Sequence, residues 1–436
     1  MTYRPVPALE VFAWGRRVGA LALNPSTGWY AFQYDPAWVA SGVELAPLHM
    51  PLRAAPFEFP GLSVDTFRRL PPAIADSLPD RFGNALIDRW MAMEGIDPGE
   101  FSILDRLAYV ADRAMGALEF RPPITRDSPA ASAVQMADLV LAARSAFDGS
   151  GDHAVDRSAL EQLIVVGSSA GGARPKALVA FNPATFQIRS AWRPLEPGFE
   201  HWLFKLDGVG GTALDGHSVS LGGGMAFGRI EYAYSQMALA AGIEMAECHL
   251  LDEGPRRHFV TRRFDRGPAG EKYHVISLCG LAHLDFNLIG AHGYDQYLQT
   301  VRLLGLPPEA LAEAFRRMVF NVAAANNDDH TRNLSFLRHP DSGWRLAPAY
   351  DVTFAHDSTN QWLRQHLMDV NGKVTGITAA DLHAVGERHD VPGYRRIVRE
   401  VVAAVRRWPE FAAAGGVPLA DTARITAVLD EVRPGG

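Results

Sequence analysis

The chain has 436 residues, 47% hydrophobic and 21% charged, with a net charge of −7 and a pI of about 6.1. This composition excludes global disorder, the length suits two or three domains, and the acidic balance argues against a dominant nucleic-acid surface. Two cysteines, Cys248 and Cys279, cannot build a disulfide framework and have no metal-ligand neighbours at the usual spacing. The start lacks a leader-like pattern and no apolar run reaches membrane-spanning length, so a cytoplasmic protein with no membrane partner is expected.

Residues 1–125 read as β-rich and then helical. Leu9 to Leu23 alternates around Gly15 and Gly19, and Trp29 to Tyr34 follows a turn signal at Asn24-Pro25-Ser26-Thr27-Gly28. After Pro-rich connections, Leu78-Pro79-Asp80 opens a helix to about Met93 with Leu86, Ile87 and Trp90 on one face. Nothing there suggests chemistry, and a scaffold or partner-binding role is expected. Residues 126–156 look like a linker with one short helix near Val134 to Ala146.

A small-residue loop, Ser168-Ser169-Ala170-Gly171-Gly172, then stands between two apolar strands. Closely spaced glycines let backbone N–H groups approach phosphates, although a plain hairpin turn fits as well. Only four of the 42 basic residues are lysines, namely Lys176, Lys205, Lys272 and Lys373. Lys205 lies in the short apolar strand His201 to Leu206, where a buried ammonium needs an anion such as a nucleotide phosphate. The helix Phe227 to Ala241 carries Glu231, which is either the partner of a kinase strand lysine or part of a solvated face. A strand from His258 to Arg266 follows, where the hinge of a kinase belongs.

The stretch from Phe320 to Asp351 carries the most chemistry. An apolar helix ends in Asn326-Asn327-Asp328-Asp329-His330, and Asp328 with Asn333 has the Asp-x-x-x-x-Asn spacing of a kinase catalytic loop. There the Asp accepts the proton of the attacking hydroxyl and the Asn holds Mg²⁺; a second strand is expected to deliver another metal carboxylate at Asp351. Asp/Asn-rich turns also form for purely local reasons, so a structural loop stays open from this stretch alone. The rest of the chain reads as helical, with Arg395, Arg396, Arg399, Arg406 and Arg407 on a basic helix that is a solvated face or an acidic or tRNA-bearing partner surface.

The ordered set Ser169-Ala170-Gly171-Gly172, Lys176, His201 to Leu206, Arg263-Phe264-Asp265-Arg266, Asn327-Asp328-Asp329-His330 with Asn333, and Tyr350-Asp351 resembles the HipA family of bacterial toxin serine/threonine kinases. The resemblance implies an α+β, two-lobed protein-kinase-like fold of the phosphoinositide-kinase-like branch, with an N-terminal β-rich subdomain (1–125) and an all-helical C-terminal half. The ATP-binding lobe would be 157–266 and the helical lobe 267–436. By position, Asp328 matches the catalytic base, Asn333 and Asp351 the Mg²⁺ ligands, and Lys205 the phosphate-contacting lysine. Arg263, Phe264 and Asp265 match the adenine hinge, His330 a nucleotide-site residue or a core histidine, and Ser168 to Gly172 the phosphate loop with Ser169 autophosphorylated. ATP and Mg²⁺ as cofactors, a protein substrate such as an aminoacyl-tRNA synthetase, and a small DNA-binding antitoxin partner are implied in the same way. A small-molecule kinase and a silent ATP-binding module are the alternatives. Arg174 and Pro175 replace the family's Gln/Glu pair, Arg332 its loop lysine, and Arg262 a position often acidic.

Overall fold

The structure, a computed structural model, describes residues 4–79, 81–124, 176–191, 195–207, 226–254, 256–268 and 270–434. Asp80, the expected short helix near Val134 to Ala146, and the Ser168 to Gly172 loop lie outside them. The chain forms two compact units that are each discontinuous: Met1–Ser218 with Leu251–Val275, and Val219–Leu250 with Ile276–Gly436.

The first unit opens with an antiparallel sheet of order β3-β2-β1-β4, from β1 (Ala8–Ala13), β2 (Arg16–Leu23), β3 (Tyr30–Tyr34) and β4 (Glu119–Arg121). Trp14 and Gly15, both at positive φ, make the two-residue turn between β1 and β2, a backbone shape that matches strand twist. Alternation buries Leu9, Val11 and Ala13 on one face. Gly19 is required by close approach, because a Cβ there would sit 2.2 Å from the Gln33 carbonyl oxygen. Beyond the sheet, the helix Arg81–Met93 lays Ile87 and Met91 against Phe101 and Tyr109, with Trp90 packed alongside.

The second sheet has order β6-β5-β7-β9-β8, from β5 (Lys176–Asn182), β6 (Gln187–Ser190), β7 (Glu200–Lys205), β8 (Cys248–Glu253) and β9 (Arg256–Arg262). β5 is buried along nearly its whole length, and Phe181 meets Trp202 edge to face at 5.0 Å. β9 ends at Arg262, four residues earlier than its sequence pattern suggests. The reason is electrostatic. Arg263 turns its guanidinium onto Asp265, donating through Nε and Nη2 at 2.9 and 2.7 Å, and Arg266 donates to the same carboxylate at 2.7 Å.

In the second unit, helices Phe227–Ala240 and Trp408–Gly415 pack together, as do Pro308–Ala323 and Tyr394–Val405. The helix Tyr394–Val405 stops short of Trp408, where a second helix, Trp408–Gly415, begins with Pro409 in its first turn, a position at which the missing N–H costs no intrahelical bond. Tyr234 is fully buried, meets the tilted Trp408 ring at 5.1 Å and donates to the Ala324 carbonyl at 2.8 Å, fixing the end of the helix Pro308–Ala323. The five arginines from Arg395 to Arg407 are exposed, and Arg396 and Arg407 pair with Glu400 and Glu410. Among the described residues no helix is long and apolar enough to cross a membrane.

Candidate active site

Each unit carries part of the expected site. In the first, Lys176 on β5 lies directly opposite Lys205 on β7, and Lys205 lies opposite Phe259 on β9. Directly opposed residues share a sheet face, so two of the chain's four lysines sit side by side, with Lys176 only 4% exposed. The Lys205 ammonium lies 5.8 Å from the Phe259 ring centroid.

The stretch after β9 is held by a buried charge cluster. Besides its two arginines, Asp265 accepts from the Gly116 N–H at 2.7 Å, while Arg266 and Arg263 also reach the carbonyls of Gly116 and Ala114. Burial alone would raise the Asp265 carboxyl; Arg263 and Arg266 outweigh it and hold the group well below the usual carboxylate range. The side chains of Arg263 and Asp265 are thus engaged with each other and with the N-terminal segment, and the Arg263 N–H donates to the His201 carbonyl at 2.9 Å. His201 is pushed down to about 4 by burial and by Arg263 and Arg266, so its imidazole is neutral at physiological pH.

In the second unit, the helix Pro308–Ala323 stops where Ala325 adopts a positive φ. Asn327 then anchors the loop, its N–H on the Ala355 carbonyl and its Nδ2 on the Leu363 carbonyl. Asp328 follows with its side chain 44% exposed. After a 3₁₀ turn at Thr331–Asn333, Asn333 Nδ2 donates to the Asp328 carbonyl at 2.8 Å, which fixes the amide and leaves its oxygen as the acceptor end. His330 Nε2 stands 3.9 Å from Asp328 Oδ1, too far for a hydrogen bond, and its Nδ1 is buried without a partner.

Asp351 is not on a strand. The strand Gly343–Leu346 ends five residues earlier, and Asp351 sits in a loop at φ 55°. The loop is fixed by Arg317, which donates to the Ala347 carbonyl at 2.7 Å, and by Tyr350, whose hydroxyl donates to the Arg332 carbonyl at 2.6 Å. Asn333, Tyr350 and Asp351 line one small cleft together with Asn321, Asn326 and Asp329.

These donors are all oxygen, the set a hard cation prefers. Among the described residues no group of three or more His, Cys, Asp or Glu side chains could hold a metal by itself. Mg²⁺ usually takes one or two protein oxygens and completes its shell with water and phosphate, so Asn333 and Asp351 fit it as a nucleotide-borne ion.

Sequence reasoning assigned no role to Asp329, Tyr294 or His366, which meet at this site. Asp329 is buried and accepts from the Tyr294 hydroxyl, His366 Nδ1 and the Leu367 N–H. The local sequence signal was only an acidic residue beside another; its partners lie 35 to 38 positions away. Glu231 is buried on its helix, which removes the solvated-face reading.

Comparison with known proteins bears on both units. The sequence model of the HipA N-terminal domain matches residues 9–121, and that of the HipA-like C-terminal domain matches residues 168–408. A protein of Sinorhizobium fredii, provisionally named kinase Y4dM, is 29% identical over 310 residues, which is 64% of this chain and 68% of that protein. A provisionally named kinase of Haemophilus influenzae is 32% identical over 134 residues, 28% of this chain and 39% of the relative. The HipA chain of the Shewanella oneidensis toxin–antitoxin complex of HipA, HipB and operator DNA superposes with a TM-score of 0.67 at 17% identity, covering 97% of this chain and 95% of that one. The fold is therefore the two-lobed, kinase-like α+β fold. With family matches over both segments, the larger spanning more than half its length, this chain belongs to the HipA family.

Proposed function

We propose that the protein is an ATP- and Mg²⁺-dependent serine/threonine protein kinase of the toxin type. The observation that carries this reading is the arrangement of Asp328, Asn333 and Asp351: a partly exposed carboxylate, an amide whose Nδ2 is held by the Asp328 carbonyl, and a second carboxylate on the cleft that Asn333 lines. Asp328 takes the proton of the acceptor hydroxyl as its oxygen bonds to the γ-phosphorus, and the β–γ bridging bond breaks to release ADP. Mg²⁺, when bound, neutralises charge on the phosphate oxygens. Asn333 and Asp351 would hold it, and Lys205 would contact the nucleotide phosphates. Arg263 and Phe264 would meet adenine through their backbone.

The acceptor is proposed to be a translation component such as an aminoacyl-tRNA synthetase, with Ser169 as the site of autophosphorylation. A small DNA-binding antitoxin is proposed as partner, supported by the HipB and operator DNA bound to the Shewanella relative. Incubating the protein with labelled ATP and Mg²⁺, then mapping phosphate by mass spectrometry, should place it on Ser169 and on a serine or threonine of an extract protein. Phosphate appearing only on a metabolite would replace this reading with a small-molecule kinase, and none anywhere would leave a silent module.

Lys205 offers a separate test. Lys205→Ala should weaken ATP binding about tenfold or more, roughly 1.4 kcal/mol, and Lys205→Arg should restore it only in part because a planar fork replaces a point charge. Equal affinity in all three proteins by calorimetric titration would remove Lys205 from the site.

A further inference from the structure

Asp329 stands beside the proposed base, but its carboxylate is buried and engaged with four donors. It accepts from the Tyr294 hydroxyl at 2.9 Å, His366 Nδ1 at 2.9 Å, the Leu367 N–H at 2.8 Å and the Met368 N–H at 3.4 Å. A carboxylate only accepts, so the polarity of everything attached to it is decided. Tyr294 must donate, and its oxygen then accepts from Asn321 Nδ2 at 2.8 Å. Asn321 Oδ1 in turn accepts from Asn326 Nδ2 at 2.9 Å. One negative charge thus orders three side chains, and the last of them is two residues before Asp328. On the other flank His366 must carry its proton on Nδ1. Burial, with Asp329 adding to it, raises the Tyr294 hydroxyl well above its ordinary pKa, so that it stays a donor throughout the working pH range.

We propose that Asp329 and His366 are positioning residues of the transfer reaction, which tie the loop 326–333 to the segment 366–368 and so set the direction of the Asp328 carboxylate. This rests on the kinase reading and deepens it. Asp328 and Asp329 share a peptide bond, so any rotation that Asp329 is allowed is passed to Asp328. His330 makes no such tie: its nearest approach to Asp328 is 3.9 Å and its Nδ1 has no partner. Misplacing a reacting group by about 1 Å costs on the order of 10²-fold in rate, which sets the size of the expected effect.

The test compares variants of His366 in the full chain, reading ATP turnover and phosphate incorporation at saturating ATP, together with amide exchange of residues 326–333. An asparagine side chain places its amide nitrogen near the position of Nδ1, whereas leucine has no donor. His366→Leu should lower kcat about 10²-fold with KM for ATP changed less than about threefold, and should speed exchange in the loop. His366→Asn should recover most of both. If His366→Leu does not fold, His366→Gln, whose amide nitrogen reaches the Nε2 position instead, takes its place with the same expectation. Turnover in the donor-less variant within about threefold of the parent, or His366→Asn as impaired as it, would overturn the proposal. Should the parent transfer no phosphate, the kinase reading fails by itself; unchanged loop exchange in His366→Leu would then overturn the tether independently.

Discussion

Asp328→Asn is expected to slow phosphoryl transfer by about 10²- to 10⁴-fold while leaving ATP affinity and the unfolding midpoint close to those of the parent. The substitution removes the group that accepts the hydroxyl proton but almost no volume. The Asp328 carbonyl, which anchors Asn333 Nδ2, is a backbone atom and survives the change. Asp351→Asn should have a comparable effect on rate for a different reason, the weaker hold of a neutral amide on a divalent cation, and it should be partly relieved by raising Mg²⁺ where Asp328→Asn is not. Single-turnover assays across a Mg²⁺ series separate the two. Parent-like rates in both variants would return this loop to a structural role.

The largest effect on stability is expected at Asp265. Its carboxylate is fully buried and is the common acceptor for Arg263, Arg266 and the Gly116 N–H. Asp265→Ala leaves two buried guanidinium groups facing one another without their anion, a change that typically costs about 3–5 kcal/mol. Urea unfolding, followed through amide exchange of segments 112–121 and 263–274, should show that loss; a change below about 1 kcal/mol would mean that the arginines find other acceptors at little cost. The acid dependence has a definite sign. A carboxyl held below its unfolded value contributes stability that is fully present above about pH 4 and disappears as pH falls further through the folded value. Asp265→Asn should therefore be less stable than the parent at neutral pH, with the gap closing as the solution is acidified below that point.

How much of this was legible in the sequence follows from the range of the interactions. The turn signal at Asn24 to Gly28, the strand carrying Lys205 and the helix from Phe227 are local patterns of period two, period 3.6 or turn chemistry, and they stand where the sequence puts them, whereas the alternating stretch Leu9 to Leu23 is two strands joined at Trp14-Gly15. The residues that hold those patterns in place are a different matter. Asp265 reads as one more residue of a hinge strand until Gly116, 149 positions earlier, is seen to donate to it. Asp329 reads as a spare acid until Tyr294 and His366 close around it. Asp351 was expected on a strand because Leu346-Ala347-Pro348-Ala349 is apolar, but Pro348 cannot donate to a ladder, and the bonds from Arg317 and Tyr350 shape a loop instead. Each of these depends on partners that no local window contains.

The bond between Gly116 and Asp265 also has a meaning in time. A ribosome adding roughly 5–20 residues per second needs on the order of ten seconds to travel from one to the other. For nearly all of that interval β1 to β4 have been synthesised, yet Lys272, whose ammonium binds the Asp112 carbonyl and Glu119, His274, which meets the Leu45 carbonyl, and the arginines that accompany Asp265 do not exist. The early sheet must wait with that side uncovered, exposed to chaperones or to other nascent chains. A message truncated after codon 218 would release a first unit lacking β8, β9 and its charge cluster, so the N-terminal segment is not a fragment that can be expressed alone and expected to reach its native form.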